Sequence, residues 1–160
     1  MNHNVNLLAF LLQEYKGDIH ISLGMTTCAE RASLLESLKP HAGRVVFYHC
    51  TSAYPCPFES LYLYEVQELS KSWPRVGYSN HGKGIASDIA ALAMGARYFE
   101  RHFVDDRMFP HTDASSSLEA TGLSKLCRDL RNVHSAFRFK PICLDPLEVE
   151  QRDKLRGPIA

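Results

Sequence analysis

The chain predicts an α/β fold built on a parallel sheet, and three features carry that prediction. Four short apolar runs, rich in β-branched and aromatic residues, alternate with segments whose apolar residues recur every three or four positions. Glycine and proline punctuate the junctions between them. Polar residues able to do chemistry collect just after the apolar runs, and in parallel strands those ends share one edge of the sheet.

Leu8, Leu11, Leu12 and Tyr15 fall at helical spacing, so a first helix ends near Lys16-Gly17. Asp18 to Gly24 (DIHISLG) reads as a buried strand bounded by glycines. Thr27-Cys-Ala-Glu30 has the form of a capping box and opens a helix through Leu34, Leu35 and Leu38, stopped by Pro40 and Gly43. Arg44 to Cys50 (RVVFYHC) is the strongest strand in the sequence. After the Pro-punctuated TSAYPCPF loop comes a helix with Leu63, Val66 and Leu69 on one face and Trp73 at its end. Arg75 to Asn80 (RVGYSN) is the third strand; Ile85, Ile89, Leu92, Ala93 and Ala96 line the next helix, and Ala96 to Phe103 (ARYFERHF) is the fourth strand. A polar loop from Asp105 to Ser115 leads to Ser116-Ser-Leu-Glu119, a second capping-box pattern. It precedes a helix through Leu123, Leu126, Cys127, Leu130, Val133 and Phe137. Residues 141–160, Pro-interrupted and of mixed charge, read as a peripheral or frayed tail behind a domain spanning 1–140.

Four strand–helix units fit a small open sheet or half of an eight-stranded barrel, and periodicity does not choose between them. The polar residues favour the barrel: His49, Thr51, Ser52, Tyr54, Ser79, Asn80, His81 and His102 all fall at carboxyl ends of strands, where barrels place their active sites. The stretch from Val76 to Asp113 is the centre of this pattern, with His81 just past one strand and His102 within the next. Two imidazoles delivered to neighbouring parallel strand ends can share one metal ion. A single strand-end histidine is more often a hydrogen-bonded structural residue; two on adjacent strands shift the balance toward a ligand pair.

Bulk properties exclude several classes. Apolar residues make up 45% of the 160 residues and charged ones 22%, an ordinary globular composition. Lys+Arg and Asp+Glu balance at 18 each, so no global field favours nucleic acid or a membrane surface. No apolar run approaches the roughly 20 residues of a membrane span, and the amino terminus lacks the form of a signal peptide. Cys28, Cys50, Cys56, Cys127 and Cys143 form no CxxC pair, which suggests reduced thiols in a cytoplasmic protein. No paired base marks Cys50 or Cys56 as a nucleophile, and buried packing is expected of both. His49 is expected in the core or behind the site; His3, His20, His41 and His134 are expected to be structural or on the surface. Gly82-Lys-Gly84 has the form of a phosphate-cradling turn at a helix start, although such turns are common. Asp105, Asp106 and Arg107 fit a solvated loop or a substrate-facing one, and the serines at 115–117 fit loop and N-cap.

Taken together and in order, HCTSAYPCPFES, VGYSNHGKGIASDIAALAMGA, FERHFVDDR and HTDASSSLEATGL resemble the sialic acid synthase family over nearly the whole chain, from about Leu8 to about Arg156. Those enzymes condense phosphoenolpyruvate with an N-acylated amino sugar, of the N-acetylmannosamine type, to give nonulosonic acids and phosphate. The resemblance implies the second half, strands 5–8, of a (β/α)8 TIM barrel, with Ile21 to Thr27 fitting the fifth strand and its loop. It places the family's divalent metal, usually manganese with magnesium as the alternative, on His81 and His102. It places phosphoenolpyruvate contacts at Ser52, Tyr54 and Ser79, and the amino-sugar aspartate at Asp113, with Tyr54 and Asp113 as the catalytic positions. The family's Asp-His pair is Asp113-Ala114 here, and its Pro-Gly-Pro is Pro110-His111-Thr112, which leaves the sugar open.

Larger departures follow from length. The family's first four strands, which supply a catalytic glutamate and phosphate-binding lysines, have no counterpart, nor does its antifreeze-like domain. A fragment that needs a missing amino-terminal half, or that forms a homodimer, is the expectation; a bare half-barrel would pair its edges at DIHISLG and ARYFERHF. The alternatives are a non-catalytic half-barrel acting as an assembly or regulatory partner, and a different metal-dependent aldolase-like barrel.

Overall fold

A computed structural model describes residues 2–108 and 112–156. Pro110 and His111, named above, lie outside the described residues. The order is α1 (Val5–Glu14), β1 (Ile19–Ser22), α2 (Cys28–Leu38), β2 (Val45–Cys50), α3 (Tyr64–Ser72), β3 (Val76–Asn80), α4 (Ala86–Ala93), β4 (Tyr98–Arg101), α5 (Ala120–Ala136) and α6 (Pro146–Arg156). The strands form one parallel sheet in sequence order, β1-β2-β3-β4, curled as half a barrel. β2 and β3 are buried along their whole length, whereas β1 alternates buried and exposed positions and β4 is only partly covered. The two outer strands are the open edges. Among the described residues no helix is long and apolar enough to cross a membrane.

The pleat sends alternate residues to opposite faces. Ile19, Ile21, Val45, Phe47, Val76 and Tyr78 join Leu8, Leu38, Val66, Leu69 and Trp73 in the core between sheet and helices. Trp73 closes α3 by placing its ring edge-on to Phe47, at 4.7 Å between centroids, while its indole N–H donates to the Val45 carbonyl at 2.9 Å. Burying each of these large side chains contributes roughly 1.5–3 kcal/mol. The opposite face carries His20, Tyr48, Cys50, Gly77, Ser79, Tyr98 and Glu100, joined by the register pairs Tyr48–Gly77–Tyr98 and Cys50–Ser79–Glu100. Gly77 has to be glycine here, since a Cβ would lie 2.5 Å from the Tyr48 ring.

The Thr27–Glu30 capping box forms in full, with Thr27 Oγ1 accepting from the Glu30 amide and the Glu30 carboxylate accepting from Thr27 N at 2.7 Å. The second pattern, Ser116 to Glu119, does not cap a helix. Ser116 is buried and its hydroxyl donates to the Asp113 carbonyl at 3.1 Å, Glu119 is the N-cap residue, and no side chain caps the helix there. The serines are used to close the loop back on Asp113 instead. β4 also ends earlier than its apolar run suggests, at Arg101, because from His102 onward the backbone bonds to the 116–118 segment: Leu118 N donates to His102 O at 2.8 Å. His102 therefore follows its strand as His81 follows β3. Beyond Pro141 the chain is helical from Pro146 to Arg156, and α6 has no buried residues.

Candidate active site

Past the ends of β3 and β4, neighbouring residues divide between the two faces. Asn80 and Arg101 turn toward α4; His81 and His102 turn toward the open face. Asn80 donates to Ser87 Oγ and Asp88 Oδ2, both at 2.8 Å, and accepts from Gly82 N at 2.7 Å. Arg101 lies 3.5 Å from Asp88 Oδ2, with the two side chains 3% and 0% exposed. Burial dominates both charges. It pushes Asp88 up to about 6 against the pull of Arg101 and Asn80, and it lowers the Arg101 guanidinium from its ordinary value. Arg101 Nη2 also donates to the carbonyls of Gly82 and Ser116, each at 3.2 Å, so one side chain ties together the loops that carry the two histidines.

On the open face the His81 and His102 rings stand nearly perpendicular with centroids 5.2 Å apart. His81 Nδ1 lies 2.9 Å from the Thr51 carbonyl, which can only accept, so that nitrogen carries the proton and Nε2 keeps its lone pair. His102 Nδ1 lies 3.3 Å from Asp113 Oδ2. His81 Nδ1 is thus held by a carbonyl oxygen, while His102 Nδ1 faces a carboxylate oxygen without forming a hydrogen bond. Two imidazoles on one ion have centroids roughly 4.5–5.5 Å apart, given metal–nitrogen bonds of about 2.1 Å. The centroid separation of the pair falls within that range. Among the described residues no group of three or more His, Cys, Asp or Glu side chains is arranged to hold a metal ion.

Tyr54 lies over the pair, 4.1 Å from the His81 ring and 5.6 Å from His102, and is 47% exposed. The peptide bond that follows it, Tyr54–Pro55, is cis. Burial raises the Tyr54 hydroxyl, and the negative charges of Cys50, Asp113 and Glu100 add to the shift. Burial works against protonating His81, but its bonds to Cys50 and the Thr51 carbonyl outweigh it and hold the imidazole above its ordinary 6.5. Ser52 packs where a Cβ on Gly24 would come within 2.3 Å of its hydroxyl, so Gly24 admits it to the site. Ser79 donates to the Glu100 carboxylate directly opposite in register.

All the site residues expected from sequence thus occupy one neighbourhood, though Asp113 sits on His102 and is not free. Lys83 lies in the loop just beyond His81. His49 is buried behind the site with Nε2 2.8 Å from the Leu61 carbonyl. His20, on the open face, meets the Tyr48 hydroxyl at 2.7 Å. Cys50 is buried as expected, yet His81 Nδ1 lies 3.7 Å from its sulfur. Burial alone would raise the thiol; bonds from His81, Ser22 and Ser52 hold it below its ordinary value. Sequence reasoning missed Glu100, Asp88 and Arg101. The signal for the first was period two, since positions 98, 100 and 102 share a direction along β4 and its end.

Comparison with known proteins supplies the ancestry. The N-acetylneuraminate-9-phosphate synthase of Homo sapiens is 36% identical over 137 residues, covering 84% of this chain and 38% of that protein. The N,N'-diacetyllegionaminic acid synthase of Campylobacter jejuni is 34% identical over 122 residues, 74% of this chain and 36% of its own length. The sialic acid synthetase structure from Leptospira borgpetersenii, solved with citrate, superimposes with a TM-score of 0.73 at 26% identity, over 87% of this chain and 50% of that one. A spore coat polysaccharide biosynthesis protein from Bacillus subtilis shares the fold, with a TM-score of 0.68 at 21% identity, over 85% of this chain and 43% of that one. The chain spans about two fifths of the length of the curated relatives it matches. The NeuB family model matches residues 1–140. The chain belongs to the NeuB family.

Proposed function

We propose that this chain is the metal-bearing half of a nonulosonic acid synthase, its strands being strands 5–8 of an eight-stranded barrel. The reaction joins C3 of phosphoenolpyruvate to the aldehyde carbon of an open-chain N-acylated amino sugar; water then adds at C2 and phosphate leaves. The observation that carries this reading is the histidine pair, with rings 5.2 Å apart, Nδ1 of each facing an oxygen, and Tyr54 across both. His81 and His102 would hold a divalent ion, manganese by preference, and that ion would supply a Lewis acid for the aldehyde oxygen.

The chain's own groups position the reactants. Tyr54 covers the imidazoles and narrows the approach to them. Ser52 would present its hydroxyl to the carboxylate or phosphate of the enol substrate, and Ser79 would do so only by turning its proton away from Glu100; hydroxyls orient anions but do not neutralise them. Asp113 faces His102 and offers its second oxygen to a sugar hydroxyl. Neutralising charge is left to cationic groups beyond this chain, supplied by an amino-terminal half-barrel that would also cover the open edges of β1 and β4. A homodimer across those edges is the other way to cover them.

The test is phosphate release from phosphoenolpyruvate, N-acetylmannosamine and Mn2+, with the chain alone and with a separately expressed amino-terminal half from a relative. Release that needs both pieces and disappears in His81→Ala supports the proposal. No release from the reconstituted pair, with Mn2+ bound, contradicts it and favours a non-catalytic partner role.

A further inference from the structure

We infer that residues 2–4 are a strap guarding the free edge of β1, and that lifting it lets β1 pair with the same edge of a second copy. The inference concerns backbone groups and not the histidines, so it stands apart from the reading above.

Backbone direction alternates along a strand. Ile19 and Leu23 turn their amides to the carbonyls of Arg44 and Tyr48, at 2.8 and 2.9 Å, so His20, Ser22 and Gly24 turn theirs to the open edge. At the carboxyl end of β1 one side chain fills that edge. The Asn2 carboxamide donates to the Ser22 carbonyl at 2.9 Å and to the Gly24 carbonyl at 3.1 Å. A neighbouring strand supplies such protons from two backbone amides; here a single carboxamide nitrogen replaces both. The Gly24 amide is occupied as well, donating to Ser22 Oγ at 3.3 Å.

α1 delivers Asn2 to this place. Asn4 caps the helix by accepting from the Leu7 amide at 3.0 Å, and Leu8 joins the core. The far end is clamped by Arg44, which donates to the carbonyls of Leu12 and Gly17 at 3.3 and 3.0 Å. With the helix pinned at both ends, the segment free to lift is the one ahead of Asn4. Among the described residues its hydrogen bonds to the sheet are the two that Asn2 makes.

The other edge is closed by backbone. Beyond β4, His102 O accepts from the Leu118 amide at 2.8 Å and the Val104 amide donates to Leu118 O at 3.0 Å. Leu118 is 3% exposed, so freeing that edge disrupts packing, whereas freeing β1 moves one half-buried side chain. β1 is therefore the edge that can be released. Two copies meeting through one like edge are related by a twofold axis, so the strands run antiparallel and the contact closes as a dimer.

The test removes the strap's donors in the full chain, by Asn2→Ala and, at constant size, by Asn2→Asp. Sedimentation velocity across a concentration series should show self-association tightened about 10-fold in both, the worth of the net hydrogen bonds that hold the strap. Hydrogen exchange then locates the contact: in the associated variants the amides of His20 and Ser22 become protected, and those of Tyr98 and Glu100 do not. Unchanged self-association overturns the inference, as does protection at Tyr98 and Glu100 in place of His20 and Ser22. A loss of helicity by circular dichroism in Asn2→Ala also overturns it, because Asn2 then supports α1 and not the edge.

Discussion

Asn80 and Arg101 point to the helices; His81 and His102, their neighbours in sequence, point the other way. The two pairs differ in what surrounds them. On the helix side Asn80 meets Ser87, Asp88 and Gly82, and Arg101 meets Asp88, Gly82 and Ser116, while Asp88 Oδ1 and Arg101 Nε and Nη1 are buried without a hydrogen bond. On the open side each imidazole meets an oxygen through one nitrogen only, His81 bonded to Thr51 and His102 facing Asp113. The buried polar cluster is therefore scaffolding that holds two loops at a set spacing, and the proposed role of the open pair is that of metal donors. A buried ion pair is weak evidence for stability in itself, but removing one partner leaves an uncompensated charge.

That contrast can be broken from either side. The largest effect should come from Asp88→Ala, which strands Arg101 in the core; a loss of about 3–5 kcal/mol is expected in urea unfolding, with metal affinity falling too because the loops are released. Asp88→Asn keeps the hydrogen bonds to Asn80 and sharpens the point through pH. Burial raises the folded-state value to about 6 from 3.8, so the folded chain holds this proton more tightly than the unfolded one. Its contribution to stability is complete below about pH 4 and lost as pH rises past about 6, by roughly 3 kcal/mol at most. The difference in stability between pH 4 and pH 8 should shrink in Asp88→Asn by that amount. An unchanged difference would show that Arg101 keeps the carboxylate charged throughout.

From the open side, His81→Ala or His102→Ala should weaken Mn2+ binding by more than ~100-fold, beyond what changes to groups behind the ligands produce, with little change in unfolding free energy. Asp113→Asn, which touches only the orientation of His102, should cost about 10-fold in affinity by calorimetry. Smallest, and remote from both clusters, Thr27→Ala should cost about 1 kcal/mol by removing the capping box of α2.

The strand–helix alternation was legible because period and punctuation report it directly, and RVVFYHC and RVGYSN gave β2 and β3 almost to the residue. The ends of β4 and the start of α5 were not, since both depend on the 116–118 segment bonding back to His102 and Asp113, a contact no local pattern announces. The histidine pair was visible as two strand-end residues. Its support was not: Asp88 looks like any acidic residue in the first turn of a helix, and only burial against Arg101 separates it from a solvated one. Asp113 stood out through resemblance as a sugar-binding position, while its contact with His102 needed coordinates.

The claim everything rests on is that His81 and His102 grip one cation. The most direct measurement is pulsed electron paramagnetic resonance of Mn2+ bound to the chain with 15N-labelled histidine. The account predicts two equivalent imidazole couplings, reduced to one in His102→Ala. A single coupling in the unaltered chain, or none, would contradict it.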